Sequence, residues 1–393
     1  MWWKPFAGPR GGLRVEAHRG LEGLDALAEP WRHVQGRVGR PRFFHYRRWW
    51  RSYLEALESR PDSISFYLLR EQGEPVAIVP LQRIVNRRFG LSVREWRLPR
   101  HVHMPLGDVL CARDASMTKI LEALSGALSK REDGSWDVLA FEEVLGESKL
   151  SRQAGARPAS ALVTSSRSCD QVVCSGSYRE MTAGFSRNFR SNLNKARHKL
   201  ERESGVEFDR VSGAPELMRC FEELLELEAS GWKGREGRGT AIKLQPELVR
   251  FYRSLLERFG RDDMAVINCL RLRGELIAGQ LCLRDEDTLY ILKLAYAEDR
   301  ARLAPGNMLL EWTIREGIER QTHRYVNLVG DPPWFKDWRP ASMPLVTLSV
   351  FNDTPVGFSV RHLAELRRTL KPLRRKYASL QQGLRAGLAG RKA

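Results

Sequence analysis

The sequence contains no apolar stretch approaching the roughly 20 residues that a membrane-spanning helix requires. Its first residues, "MWWKPFAGPRGG", also lack the long apolar run of a secretory signal peptide. We therefore expect a cytoplasmic protein.

Cysteines are few and scattered, at Cys111, Cys169, Cys174, Cys220, Cys269 and Cys282. Only Cys169 and Cys174 are close together, and no second pair or nearby histidine completes a zinc-binding set, so we expect no metal. Cys269 and Cys282 lie in apolar segments, which indicates reduced core residues.

Acidic residues are in deficit: 48 Asp and Glu stand against 65 Lys and Arg, for a formal charge of +17. Such a surplus favours phosphates, nucleic acid or an acidic membrane face as partners, although an arginine-rich coding bias has the same effect. With 42% hydrophobic residues, the 393-residue chain can build packed interiors, and its length predicts two domains.

An internal repeat organises the chain. "YLLREQGEPVAIVPL" (67–81) and "CLRLRGELIAGQLCL" (269–283) each show an apolar strand, a Gly-Glu turn and a second apolar strand. Each predicts a β-hairpin, and a strand, a turn, a helix and a further strand follow both. The sequence therefore predicts an α/β (α+β) fold with two related domains, each a mixed β-sheet flanked by helices.

We place the first domain at residues 1–170 and the second at 171–355, because the boundary should fall in the Ser- and Ala-rich stretch "ARPASALVTSSRSCD". Residues 356–393 read as a basic helical tail with a break near Pro372. Such a tail is suited to contact with an anionic membrane.

The stretch "FSRNFRSNLNKARHKLERESG" (185–205) predicts an amphipathic helix. Its apolar stripe consists of Phe185, Phe189, Leu193, Ala196 and Leu200. Its basic residues include Arg187, Arg190, Lys195 and Arg197, which we expect to meet an anionic substrate. A solvated basic face is the alternative.

Pro305, Gly306 and Asn307 lie where the strand "TLYILKLAYAED" gives way to a helix. A helix N-terminus offers unpaired N–H groups to a phosphate, and Arg300 and Arg302 add charge. Pro-Gly is also a common sequence at the start of a helix that binds no ligand. The first repeat has "ARDASMTKILEAL" at this place, without Pro or Gly, so the second half is the better phosphate site.

Four further groups of residues are candidates for chemistry. "LEASGWKGREGRGTAI" offers Glu228 as a general base, with Trp232 and Lys233 in a loop over the site. The alternative for this stretch is a capped helix followed by a disordered loop. "VGDPPWFKDW" follows a strand and offers Asp331, Trp334 and Lys336, or else a surface turn. Tyr296 is a candidate proton donor, with a core tyrosine as the alternative. His101, His103 and Asp108 are candidates for part of an acceptor cleft, with a polar loop as the alternative.

The second half resembles the GNAT acyltransferase superfamily, specifically the bacterial CelD-like branch with duplicated GNAT domains. The resemblance rests on "FSRNFRSNLNKARHKLERESGVEF", "LEASGWKGREGRGTAI", "LAYAEDRARLAPGNMLLEWTIREGI" and "GDPPWFKDW", in that order between residues 185 and 338. It implies two tandem GNAT-like domains, the first degenerate, and an acyl donor bound across splayed central strands. The donor pyrophosphate would lie at Pro305, Gly306 and Asn307.

The resemblance implies an acyltransferase that moves an acyl group from acyl-CoA to an amine or hydroxyl of an anionic small-molecule, peptide or saccharide acceptor. The fold is also similar to that of Fem-type transferases, which use aminoacyl-tRNA, so tRNA is an alternative partner. A third reading, from charge alone, is a non-enzymatic protein that binds RNA or a membrane surface.

Overall fold

The computed structural model describes residues 12–130, 135–153, 161–330 and 332–370. The strands are β1 (Arg14–Arg19), β2 (Ile64–Glu71), β3 (Glu74–Arg88), β4 (Leu91–Arg97), β5 (Leu110–Cys111), β6 (Val138–Leu145), β7 (Ala161–Ser168), β8 (Gln171–Val173), β9 (Val206–Val211), β10 (Ala265–Leu272), β11 (Glu275–Arg284), β12 (Thr288–Tyr296), β13 (Tyr325–Asn327) and β14 (Pro344–Phe351). The α-helices are α1 (Gly20–Ala26), α2 (Ala28–Gly36), α3 (Arg47–Ala56), α4 (Met117–Ser129), α5 (Lys149–Gln153), α6 (Tyr178–Ala183), α7 (Arg187–Glu201), α8 (Ala214–Ser230), α9 (Pro246–Gly260), α10 (Pro305–Glu319) and α11 (355–370). Among these described helices, none is both long enough and apolar enough to cross a membrane.

The strands form two mixed sheets, which confirms the expected tandem α/β architecture. The first sheet has the order β1-β2-β3-β4-β6-β14-β7, with β5 paired to β3, and the second has the order β8-β13-β12-β11-β10-β9. The chain that follows β6 supplies β8 to the second sheet, whereas the chain that follows β13 supplies β14 to the first.

This exchange departs from the division made on the sequence, which grouped residues 344–351 with the second half. In the structure β14 pairs with β6 and β7 of the first sheet. An apolar strand such as "PLVTLSVF" fits either sheet locally, because long-range packing rather than the local pattern selects its partner.

The internal repeat is confirmed in detail. Gly73 and Gly274 have φ values of 91° and 82°, and the residue before each also has positive φ, as in the tight turns of two-residue hairpins. Both hairpins have a register shift immediately before Arg70 or Arg271. Each of these arginines donates a hydrogen bond to its turn glycine's carbonyl at 3.1 Å.

The elements after the hairpins also correspond. β4 pairs in parallel with β6, as β12 does with β13. In the first half residues 98–109 interrupt the strand, and β5 then resumes it. Cys111 on β5 pairs with Ala77 as Tyr296 on β12 pairs with Ala278. β5 thus occupies the place that the end of β12 occupies in the second half.

The two halves share a continuous apolar core. Helix α3 packs on α9, where the ring of Trp49 lies 5.6 Å from that of Phe251 between centroids. Arg42, with only 6% of its surface exposed, donates from its guanidinium to the hydroxyl of Tyr290 at 2.7 Å. A buried cation thereby joins the first half to β12.

The predicted basic helix corresponds to α7, and its apolar stripe packs inward as expected. Ser186 caps the helix by accepting a hydrogen bond from the N–H of Phe189 at 3.2 Å. Phe189 and the preceding Phe185 lie edge-on to the ring of Trp338. The buried members of the stripe are Phe185, Leu193, Ala196 and Leu200.

Helix α11 forms the start of the expected tail, but it is packed on the first sheet. Val360 is 1% exposed and belongs to a small apolar cluster with Val93, Val138 and Phe351. The sequence predicts a basic appendage here, because the basic composition of the helix conceals its apolar face. The expected break near Pro372 lies outside the described residues.

All six cysteines are buried and unbonded, which confirms Cys269 and Cys282 as core residues. The sulfurs of Cys220 and Cys269 lie 3.1 Å apart, and burial raises the pKa of the Cys282 thiol to about 12. Within the described ranges no group of His, Cys, Asp or Glu is arranged to hold a metal ion.

Candidate functional site

The turn between β12 and α10 forms the base of the candidate site. A short 3-10 turn covers Glu298–Leu303, Ala304 has the left-handed conformation with φ 48°, and α10 begins at Pro305. Because proline has no N–H, the first donors at this helix end are the N–H groups of Gly306 and Asn307. A helix N-terminus of this kind attracts an anion through these donors and through the helix dipole.

Gly306 allows α10 to lie close to β12. A Cβ atom added to Gly306 would be 3.3 Å from Cδ1 of Tyr296 and 3.8 Å from Cδ2 of Leu294. Tyr296 is 38% exposed and lies beside the turn. A branched residue at position 306 would press against the ring of Tyr296 and crowd the N–H groups at the start of α10.

Cationic side chains surround this turn, which is called the donor turn below (residues 297–307). Lys199 of α7 donates from Nζ to the carbonyl of Arg302 at 3.5 Å. Arg302 also pairs with Glu203 at 3.3 Å, and Arg300 pairs with Asp299 at 3.3 Å. The C-terminal end of α7 is therefore in contact with the donor turn, where Arg300 and Arg302 already have carboxylate partners.

β12 and β13 separate next to the donor turn. They pair over only three residues each, Thr288 to Tyr290 with Tyr325 to Asn327, while β12 continues to Tyr296. The pairing of β12 with β11 skips Leu292, which is a β-bulge. Beyond Tyr290, the edge of β12 that faces β13 has no strand partner among the described residues.

A polar cluster lies where the two halves meet at β12. Nδ1 of His103 is 2.8 Å from the hydroxyl of Tyr252, and Nζ of Lys293 is 5.5 Å from the centre of the same tyrosine ring. His101 stacks on His103. Burial lowers the pKa of His103 to about 3 and that of Lys293 to about 8. Burial therefore disfavours the charged form of both side chains.

Glu228 is buried beside this cluster, but it is not a free carboxylate. It accepts hydrogen bonds from Nζ of Lys233 at 2.7 Å and from the N–H of Ile242 at 2.8 Å. These bonds hold both ends of the loop that follows α8. The structure therefore shows Glu228 and Lys233 as an ion pair that shapes the loop.

The same loop contacts the donor turn. The N–H of Trp232 donates to Oε1 of Glu298 at 2.8 Å, and the guanidinium of Arg238 lies 4.9 Å from the centre of the indole ring. Trp232 itself is 48% exposed. Trp232, Lys233 and Tyr296 line a small cleft next to the donor turn, and Glu228 lies in its wall.

Several residues singled out on the sequence lie elsewhere. Asp108 is buried in the first half, where it accepts from the N–H of Val109 at 2.8 Å, and it lines a cavity that includes neither His101 nor His103. Residues 333–338 form a short 3-10 turn with Trp334 and Lys336 exposed. Asp331 lies outside the described residues.

On α7, Arg187, Arg190 and Lys195 are exposed, which fits both an anion-binding face and a solvated basic face. Arg197 differs, because it is half-buried and forms an ion pair with Glu311 of α10. Tyr178 donates to the same carboxylate at 2.5 Å. The charge of Arg197 is thus already compensated within the protein.

Lys293 and Tyr252 were not identified from the sequence. A signal for Lys293 was present, since a lysine interrupts the apolar strand "TLYILKLAY". Tyr252 lies on the apolar face of α9 and has no local signal, because its partner His103 comes from the other half of the chain.

Comparisons with known proteins concern the family and the fold of the chain. The model of the acetyltransferase (GNAT) domain family matches residues 5–87 and 187–336. The fold is similar to that of FemX, with a TM-score of 0.52 and 12% identity over 85% of this chain and 98% of that one. It is also similar to a conserved protein of unknown function from Bacteroides thetaiotaomicron, with a TM-score of 0.51 and 13% identity over 84% of this chain and 97% of that one.

A tandem GNAT protein from the clavulanic acid biosynthesis pathway aligns with a TM-score of 0.46 and 10% identity over 86% of this chain and 99% of that one. No protein with a curated function matches the sequence. The family match covers both halves, including the donor turn. The chain therefore belongs to the acetyltransferase (GNAT) domain family and is an acyltransferase with two GNAT-like halves.

Proposed function

We propose that the protein transfers an acyl group from an acyl-CoA thioester to an amine of an anionic acceptor, and that the second half carries the reaction. The observation that carries this proposal is the position of the α10 N-terminus directly after the open edge of β12. The N–H groups of Gly306 and Asn307 would bind the donor's pyrophosphate there. Arg300, Arg302 and Lys199 would add the surrounding positive charge.

The thioester would then extend along the gap between β12 and β13. Open backbone N–H groups of β12 near the Leu292 bulge would polarise its carbonyl. The acceptor amine attacks this carbonyl, so a C–N bond forms and the C–S bond breaks. The departing thiolate takes a proton from the hydroxyl of Tyr296, and solvent restores that proton.

The acceptor would enter through the cleft lined by Trp232 and Lys233. Its amine must lose a proton during the reaction, and Lys293 in its neutral form is our candidate to receive it. The lowered pKa of Lys293, about 8, leaves part of the population neutral near physiological pH. The free thiols and the composition fit the cytoplasm, where acyl-CoA is available.

An aminoacyl-tRNA donor is the second candidate, favoured by one observation. The exposed Arg187, Arg190 and Lys195 form a basic surface on α7, and the same helix contacts the donor turn through Lys199. A tRNA backbone on this surface would place its acylated end at the same cleft.

Ligand-induced stabilisation separates the two donors. Acetyl-CoA or CoA at 100 times its Kd should stabilise the native protein by about 2.7 kcal/mol and raise the melting temperature accordingly. Stabilisation by aminoacyl-tRNA alone, abolished by RNase, would contradict the acyl-CoA proposal and support the second candidate. Free adenosine, which lacks the pyrophosphate, serves as the control ligand.

A further inference from the structure

A large cavity lies in the first half, away from the proposed reaction. Its volume is about 690 Å³, the size of a typical small-molecule site. It opens between β5 and the end of β6, the counterpart of the gap between β12 and β13. Arg42 on its wall bonds to Tyr290, and the six residues from there to Tyr296 span about 20 Å. The cavity is therefore separate from the donor turn.

The first-half counterpart of the donor turn is occupied by a side chain of the protein. Nζ of Lys149 donates to the carbonyls of Ala112 and Arg113, each at 2.8 Å, and to that of Ala115. This turn presents carbonyls to a cation, whereas a phosphate-binding turn presents N–H groups to an anion. Donor binding in the manner of the second half is therefore excluded here.

The ammonium of Lys149 introduces a positive charge that carbonyls do not neutralise. Arg113 and Arg152 also line the cavity and are exposed near its mouth. Over the ranges that the structure describes, neither has a carboxylate within ion-pair distance. Arg42, deeper in the wall, is already paired with Asp285 and Glu147. The cavity is thus lined by two arginines without an ion-pair partner among the described residues, beside Lys149 and the carboxylate of Glu147.

The inner part of the cavity differs from its mouth. Phe44, Val109, Cys111, Leu145 and Leu150 provide apolar walls. His45 also lines the cavity, and its Nδ1 accepts from the N–H of Arg42 at 3.0 Å, so the ring's Nε2 carries the proton and is a donor. Burial raises the pKa of Asp108 to about 7, so its carboxyl group is half protonated near neutral pH.

We propose that this cavity is a second ligand site, which binds a small organic phosphate through Arg113 and Arg152, with Lys149 contributing only its charge because its three N–H donors are already used. The organic part of the ligand lies between the apolar walls, with Asp108 and His45 as hydrogen-bond partners at the inner end. The ligand is neither the acyl donor nor the group that receives the acyl chain, because the cavity is too far from Tyr296.

Calorimetric titration with inorganic pyrophosphate at low ionic strength tests the phosphate end. Arg113→Gln should weaken binding at least tenfold, since it removes a charge at the mouth. Arg87→Gln, which removes an exposed arginine of β3 outside the cavity, should bind as the parent does. Gly39→Leu retains every charge but places a Cβ 2.9 Å from Nε of Arg113, so it should also weaken binding.

Three results would overturn the proposal: no binding of millimolar pyrophosphate to the parent, equal affinity of the parent and Arg113→Gln, or equal weakening by Arg87→Gln. Citrate, an anion without phosphate, should bind more weakly, and equal affinity would refute the phosphate assignment. Gly306→Val, altered only at the donor turn, should retain the Arg113-dependent binding. Loss of acyl-CoA binding therefore tests the proposed function separately from this site.

Discussion

Replacement of Lys293 by methionine should stabilise the protein at neutral pH. Lys293 is largely buried beside Tyr252 and His103, and burial lowers its pKa from 10.5 to about 8 although Glu228 raises it and Lys233 lowers it further. Below pH 8 the folded protein must keep a buried ammonium that water solvates in the unfolded chain. The difference between the two pKa values corresponds to a destabilisation of about 3 kcal/mol.

The direction of the pKa shift of Lys293 determines the pH range over which the stability difference changes. Between the folded pKa near 8 and the unfolded value near 10.5 the unfolded chain binds the extra proton, so this residue's contribution to stability rises with pH. The advantage of Lys293→Met over the parent should therefore shrink by about 2 kcal/mol between about pH 7 and pH 9.5. Buried cysteines and tyrosines also titrate in this range, but they are common to both proteins and cancel in the difference.

Urea unfolding of the parent and the variant at several pH values measures this difference. Lys195→Met, on the exposed face of α7, controls for removal of a positive charge. A Lys293→Met variant that is less stable than the parent at pH 7, or a difference that does not change with pH, would refute a buried, destabilised ammonium. If Lys293 also accepts the acceptor's proton, the variant should lose the rise of turnover with pH toward 8.

Two further predictions concern the donor turn and the contact between the halves. Gly306→Val brings a branched side chain against Tyr296 and should weaken donor binding at least tenfold. Ala115→Val, at the corresponding place in the first half, should leave donor binding unchanged. Equal donor affinity in the parent and a folded Gly306→Val variant would show that the turn does not bind the donor. Arg42→Leu should destabilise the protein by about 3–5 kcal/mol by leaving Asp285 buried without its partner. Arg42→Leu combined with Asp285→Leu should recover part of the loss, and additive losses in urea unfolding would contradict the pairing.

The sequence predicted those parts of the fold that depend on local patterns. The Gly-Glu turns required glycine's positive φ, and the apolar spacing of α7 determined which face is buried. The strand-to-helix transition at Pro305 was predictable for the same reason, because Pro-Gly after an apolar strand is visible within a few residues, and its role in donor binding stays a prediction. Contacts between distant segments were not predictable in this way. His103 and Tyr252 are 149 positions apart, and the pairing of Glu228 with Lys233 depends on how the loop folds back.

The interruption at residues 98–109 distinguishes the strand-to-helix turn of the first half from that of the second. In the second half β12 runs without a break into the donor turn, so the strand edge and the N-terminus of α10 form one continuous surface. In the first half the inserted segment supplies His101 and His103 to the other half and leaves β5 only two residues long. Lys149 then occupies the turn that follows. The segment that interrupts the first half thus supplies His101 and His103 to the polar cluster at Lys293, and we expect a change in this segment to alter turnover.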